Sequence, residues 1–129
     1  MKKFLILLIL LIALPANAKH KYLEKDYQNY WCSMYCGQAE VKLPDNTRVD
    51  CITDEYAVEV DFQKKWAESI GQALYYAIKT GKKPAVLLIL ENEEKDCIYL
   101  QRLLTVAEKY FVTVFTISQA ELEKRNNHK

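Results

Sequence analysis

Asp50, Glu59 and Asp61 are the residues whose type and spacing most suggest chemistry. Asp50 falls near the end of one predicted strand, and Glu59 lies inside the next. Two carboxylates brought together on neighbouring strands repel one another unless they share a cation or a proton. A helix directly after them carries Glu68, Gln72 and Tyr76 at intervals of four, one polar face along its length. Acids on two strands with a polar helix face behind them make the layout of a divalent-metal site.

The elements that must position these groups are legible from periodicity. Leu23, Tyr27, Tyr30, Trp31 and Met34 recur at helical spacing, and Gly37 is expected to end that helix in the left-handed conformation. Residues 39–43 and 48–53, joined by Pro44-Asp45-Asn46, read as a hairpin. Asp54-Glu55 turns the chain into strand 56–62, where alternation puts Glu59 and Asp61 on one face and the valines on the other. A helix over about 63–80 is expected to bury Trp66, Ile70, Leu74, Ala77 and Ile78, with Lys65, Glu68, Gln72 and Tyr76 opposite and Gly81 at its end. Ala85–Leu90 is a continuous apolar run, the pattern of a strand buried on both faces. A helix over 95–110 and a strand over 111–117 follow, and residues 118–129 read as a polar tail with a short helix. The fold class is therefore α/β: an antiparallel three-strand meander and the strands after it form a mixed central sheet flanked by helices.

Composition narrows the function classes. Lys2 and Lys3, the apolar run from Phe4 to Leu14 and the small residues of Ala16-Asn17-Ala18 fit a signal peptide over residues 1–18. The run is shorter than the roughly 20 residues a spanning helix needs, so no stable membrane insertion is expected after cleavage. The expected location is periplasmic or secreted. Residues 19–117 are predicted to form a single domain. With 18 basic and 17 acidic residues in all, and two of the lysines in the leader, the mature chain carries about one net negative charge. No global basic field draws in nucleic acid, and such a partner would rely on local pairs such as Lys64-Lys65. Cys32, Cys36, Cys51 and Cys97 predict two disulfides of unspecified pairing in an exported chain, with a four-thiolate zinc site as the competing reading. His20 and His128, the only histidines, lie beside the leader and in the tail, away from these acids. None of the three glycines forms a phosphate loop, and Cys32 and Cys36 are one residue too far apart for a redox pair.

Taken together, these residues resemble the PD-(D/E)XK nuclease superfamily, in particular its resolvase-like and RecB-like members. Arg48-Val49-Asp50 is similar to the family's first acid, Val58-Glu59-Val60 to its second, and Glu68-x-x-x-Gln72-x-x-x-Tyr76 to the glutamine-tyrosine helix of RecB-like branches. The resemblance implies a restriction-endonuclease-like core over residues 22–117. It also implies Mg or Mn held by Asp50 and Glu59, and hydrolysis of phosphodiester bonds in nucleic acid by an activated water. Gln72 would orient the reacting groups, Glu24 matches a helix-borne acid of some branches, and many relatives act as homodimers. The chain departs from the pattern at one point: the family's lysine two residues after the second acid is replaced by Asp61. Either Lys65, preferred over Lys64 because it shares the polar face, supplies the missing charge with Asp61 as an auxiliary acid, or the fold persists as a non-enzymatic binding module.

Overall fold

The computed structural model describes residues 20–127, and the predicted leader lies outside them. Helix α1 (Glu24–Met34) leads into strands β1 (Gln38–Lys42), β2 (Arg48–Ile52) and β3 (Tyr56–Phe62). A 3-10 turn (Gln63–Lys65) then opens α2 (Trp66–Thr80), followed by β4 (Lys83–Leu90), α3 (Glu93–Lys109), β5 (Thr113–Ser118) and α4 (Gln119–Asn126). The five strands form one sheet in chain order. β1–β2 and β2–β3 pair antiparallel, whereas β3–β4 and β4–β5 pair parallel across helical crossovers. The α/β class and the mixed sheet flanked by helices agree with the sequence reading.

Two main cores result, one on each face, with a smaller cluster of Val49, Ala57 and Tyr76 beside them. α1 and α4 cover Val58 and Val60 of β3 with Ala85, Leu87 and Ile89 of β4. α2 and α3 cover Val86, Leu88 and Leu90. Alternation along β4 thus feeds both cores, which is why its sequence is apolar without a break. Glu59 and Asp61 pair with Val86 and Leu88 in the ladder, so they point into the layer beneath α2.

Several sequence expectations are corrected. The short helix expected in the polar tail is α4, but it is not a solvated end: Ser118 and Glu121 cap it reciprocally and Leu122 is buried in the core. The inward stripe of α2 is Ser69, Ile70, Ala73 and Tyr76, while Ile78 is 82% exposed. Tyr76 therefore belongs to the buried side, not the solvent side. Cys36, with φ 51°, is the left-handed residue after α1, and Gly37 is needed for another reason given below. One disulfide is formed, Cys32–Cys51, instead of two. Cys36 and Cys97 are free and exposed. With two of the thiols oxidised, a four-thiolate zinc site is excluded.

Gly81 does end α2 in the left-handed conformation (φ 69°), its N–H bonding to the Ala77 carbonyl. No atom crowds the position, so strain alone is at issue. Gly81→Ala is expected to cost about 1 kcal/mol, read as a fall in the midpoint of urea unfolding with the slope unchanged.

Candidate acidic site

The site forms where β2 and β3 separate. Their ladder ends at the Cys51–Val58 pair. At the next step, the Asp50 carboxylate takes the place of the missing backbone partner and accepts the Val60 N–H at 2.8 Å. A second anchor comes from α1, where buried Gln28 donates to the Asp50 carbonyl at 2.9 Å and to Glu40 at 3.0 Å. Arg48 holds the other Glu40 oxygen at 3.2 Å. These hydrogen bonds, that from Gln28 foremost, keep the Glu40 carboxyl below its ordinary range. Glu40 also takes a left-handed backbone (φ 57°), an uncommon conformation for a non-glycine strand residue and one that stores strain beside the site.

Glu59 lies on the neighbouring strand and is only 5% exposed. Its Oε2 has no hydrogen-bond partner. Burial pushes its carboxyl up to about 9, and the charges of Asp50, Asp61 and Glu24 push the same way. Asp50 is raised to about 6, by burial first and by Asp61 and Glu40 next, with the Val60 N–H opposing. Asp61 is also raised by burial, despite the Ser69 hydroxyl and the Lys65 ammonium. Glu24, at the start of α1, belongs to the same cluster. Burial, then Asp61 and Asp50, raise it to about 7. The cluster thus holds shared protons near neutrality, as crowded, desolvated carboxylates must.

The cationic side is thin. Lys65 Nζ stands 3.9 Å from Asp61 Oδ1 and also counteracts the charge at Glu59 and Glu24. Ser69 Oγ lies 2.9 Å from both Asp61 Oδ2 and the Lys65 carbonyl oxygen, and has one proton to give to either. Gln72, one turn before Tyr76, is exposed. Tyr76 is raised by burial and then by the charge on Glu59.

Asp50, Glu59, Asp61 and Lys65 are therefore brought together, whereas Gln72 stays exposed on α2. Gln28 and Ser69 were missed by the sequence reading. Gln28 carried a usable signal: with Glu24 and Cys32 it forms an i, i+4, i+8 stripe through an otherwise aromatic helix.

Among the described residues, no three His, Cys, Asp or Glu side chains are arranged to hold a metal ion. Two carboxylates are available nevertheless, and the donor chemistry is that of a hard cation: oxygen ligands, negative charge and the unpartnered Glu59 oxygen. Magnesium commonly takes only one or two protein carboxylates and completes its shell with water and phosphate, so a two-acid site fits it.

Comparison with known proteins gives one distant similarity. A protein of Acanthamoeba polyphaga mimivirus, named as KilA-N domain-containing, is 29% identical to this chain over 103 residues. That alignment covers 80% of this chain and 27% of the relative. The chain thus spans about a quarter of the relative's length. No protein-family profile matches. No solved structure matches either.

Proposed function

We propose that the chain is an exported, restriction-endonuclease-like phosphodiester hydrolase that uses Mg or Mn at the Asp50–Glu59 pair. The observation that carries this reading is the unpartnered Glu59 oxygen, buried among three further carboxylates. Evolution tolerates such a site where a ligand repays its cost, since burying mutually repelling acids destabilises the fold. Asp50 and Glu59 would hold the cation, which when bound polarises the phosphodiester and supplies an attacking hydroxide. The Val60 N–H fixes the Asp50 carboxylate in the fork of the strands. Lys65, tethered near Asp61, offers the positive charge that Asp61 displaced from its usual place. Tyr76 and Gln72, both on α2, would orient a phosphate oxygen from that side of the acids. The Cys32–Cys51 bond suits an oxidising compartment and so supports export.

Incubation of the mature protein with plasmid and with single-stranded DNA or RNA in Mg or Mn tests this directly. Asp50→Ala and Glu59→Ala are each expected to lower cleavage on the order of a hundredfold or more. Cleavage equal in the variants and the parent would end the enzymatic reading.

The second reading is a non-catalytic binding module, favoured by Asp61 in the position where the resemblance calls for lysine. Calorimetric titration separates the two. Saturable Mg or Mn binding lost in Glu59→Ala supports the hydrolase, and absence of binding supports the module.

A further inference from the structure

The two edges of the sheet are built differently. The β1 edge is blunted: it carries Glu40 in a left-handed conformation and the charged Lys42. The β5 edge, Thr-Val-Phe-Thr-Ile-Ser, has no charge and no proline, and β4 is its only partner in the sheet. Unguarded strand edges of this kind are templates for another strand.

Concavities flank that edge on both sides. A groove of about 250 Å³ opens against Trp31, Met34, Ile117 and Lys124, and another of about 270 Å³ against Leu90, Leu100 and Ile117. Both share Thr116, Ile117 and Glu121, so they meet at the C-terminal end of β5. At the opposite end, Phe111 is 88% exposed and held outward by a left-handed backbone (φ 55°). A phenyl ring at one end of an open strand and apolar hollows at the other are complementary only if a second strand runs antiparallel.

We propose that two copies of this chain join through β5, antiparallel about a two-fold axis, into one continuous ten-stranded sheet. Matching faces requires residues of like parity to meet, and Phe115 at the axis satisfies this. Phe111 of each copy then lies towards the end of the other copy's β5 at which the two grooves open. An axis perpendicular to the sheet keeps both acidic sites on one face, roughly 24 Å apart at five strand spacings. The interface does not depend on the hydrolase reading.

Sedimentation of the mature chain as the Cys36→Ser/Cys97→Ser double variant removes dimers made by the exposed thiols. A dimer at micromolar concentration is expected. Phe111→Asp and Thr116→Lys, both at exposed positions, should each weaken it at least about tenfold while leaving the thermal transition of the monomer cooperative. Backbone amides of residues 113–118 that face away from β4 should exchange more slowly as concentration rises. A monomeric parent at 100 µM, or a dimer that both substitutions leave intact, overturns the proposal.

Discussion

Glu59→Gln is expected to make the cation-free protein more stable at pH 8, and to remove the largest single part of the fall in stability that the parent shows as pH rises. The folded-state carboxyl of Glu59 is raised from 4.5 to about 9. A group raised in this way stabilises most at pH below its unfolded value, and that contribution is lost as pH climbs towards the folded value. Between those limits the unfolded chain has released a proton that the folded chain still binds. Each pH unit there removes about 1.4 kcal/mol per group. Asp50, raised to about 6, and Glu24, raised to about 7, act with the same sign over narrower windows. Asp45, held low chiefly by Thr47 and Tyr75, acts with the opposite sign, but only in acid below its ordinary value.

The amide introduced by Glu59→Gln would end this dependence at one site and return a few kcal/mol at pH 8. Thermal melts from pH 5 to 8.5 check this. Magnesium should raise the parent's midpoint at pH 8 and leave Glu59→Gln unmoved, since a cation replaces protons on the same oxygens. A parent midpoint flat across that range would contradict the buried, repelling cluster.

Gly37→Ala is expected to damage the fold more than any other single methyl. The added Cβ would lie 2.6 Å from Cys51 Sγ, 2.8 Å from Cys32 Sγ and 3.1 Å from the Ile52 carbonyl oxygen. None of these can swing aside, because the sulfurs are tied across α1 and β2 and the oxygen is strand backbone. Overpacking alone costs about 1–3 kcal/mol, and loss of the bridge would bring the total to about 2–5 kcal/mol. The midpoint of melting should fall by roughly 10 °C. Native thiol titration gives a second readout. The parent should show two reactive thiols, Cys36 and Cys97, and the variant more than two. An unchanged midpoint with two thiols would show that the helix end can retreat from the bridge.

Much of this arrangement was legible in the sequence. The apolar run of β4 and the alternation of β3 follow from strand period, and that period placed Glu59 and Asp61 on the face later found beneath α2. Lys65 reaches Asp61 because both sit at the junction of β3 and α2. The orientation of α2 was misread by about one residue. Its apolar residues form a broad stripe, and the true inward line runs through Ser69 and Ala73, which add little hydrophobic signal. The same rotation turned Tyr76 inward and left Ile78 in water. The depth of Glu59 was hidden for a related reason: alternating acids and valines look half-solvated until a helix covers the acidic face. Gly37 was assigned a backbone role because glycine is a common helix end. The contact that requires it joins residues far apart in the chain.

Helix α1 touches the acids at one end through Glu24, grips the Asp50 segment midway through Gln28, and is welded to β2 at Cys32. Cutting that weld would leave the helix held by packing and the Gln28 hydrogen bonds, freer to creep along the sheet and carry Glu24 and Gln28 out of line. The alignment of the carboxylates is thereby made subject to the electron supply of the surroundings, so a strong dithiol reagent should disorder the pocket before it unravels the sheet.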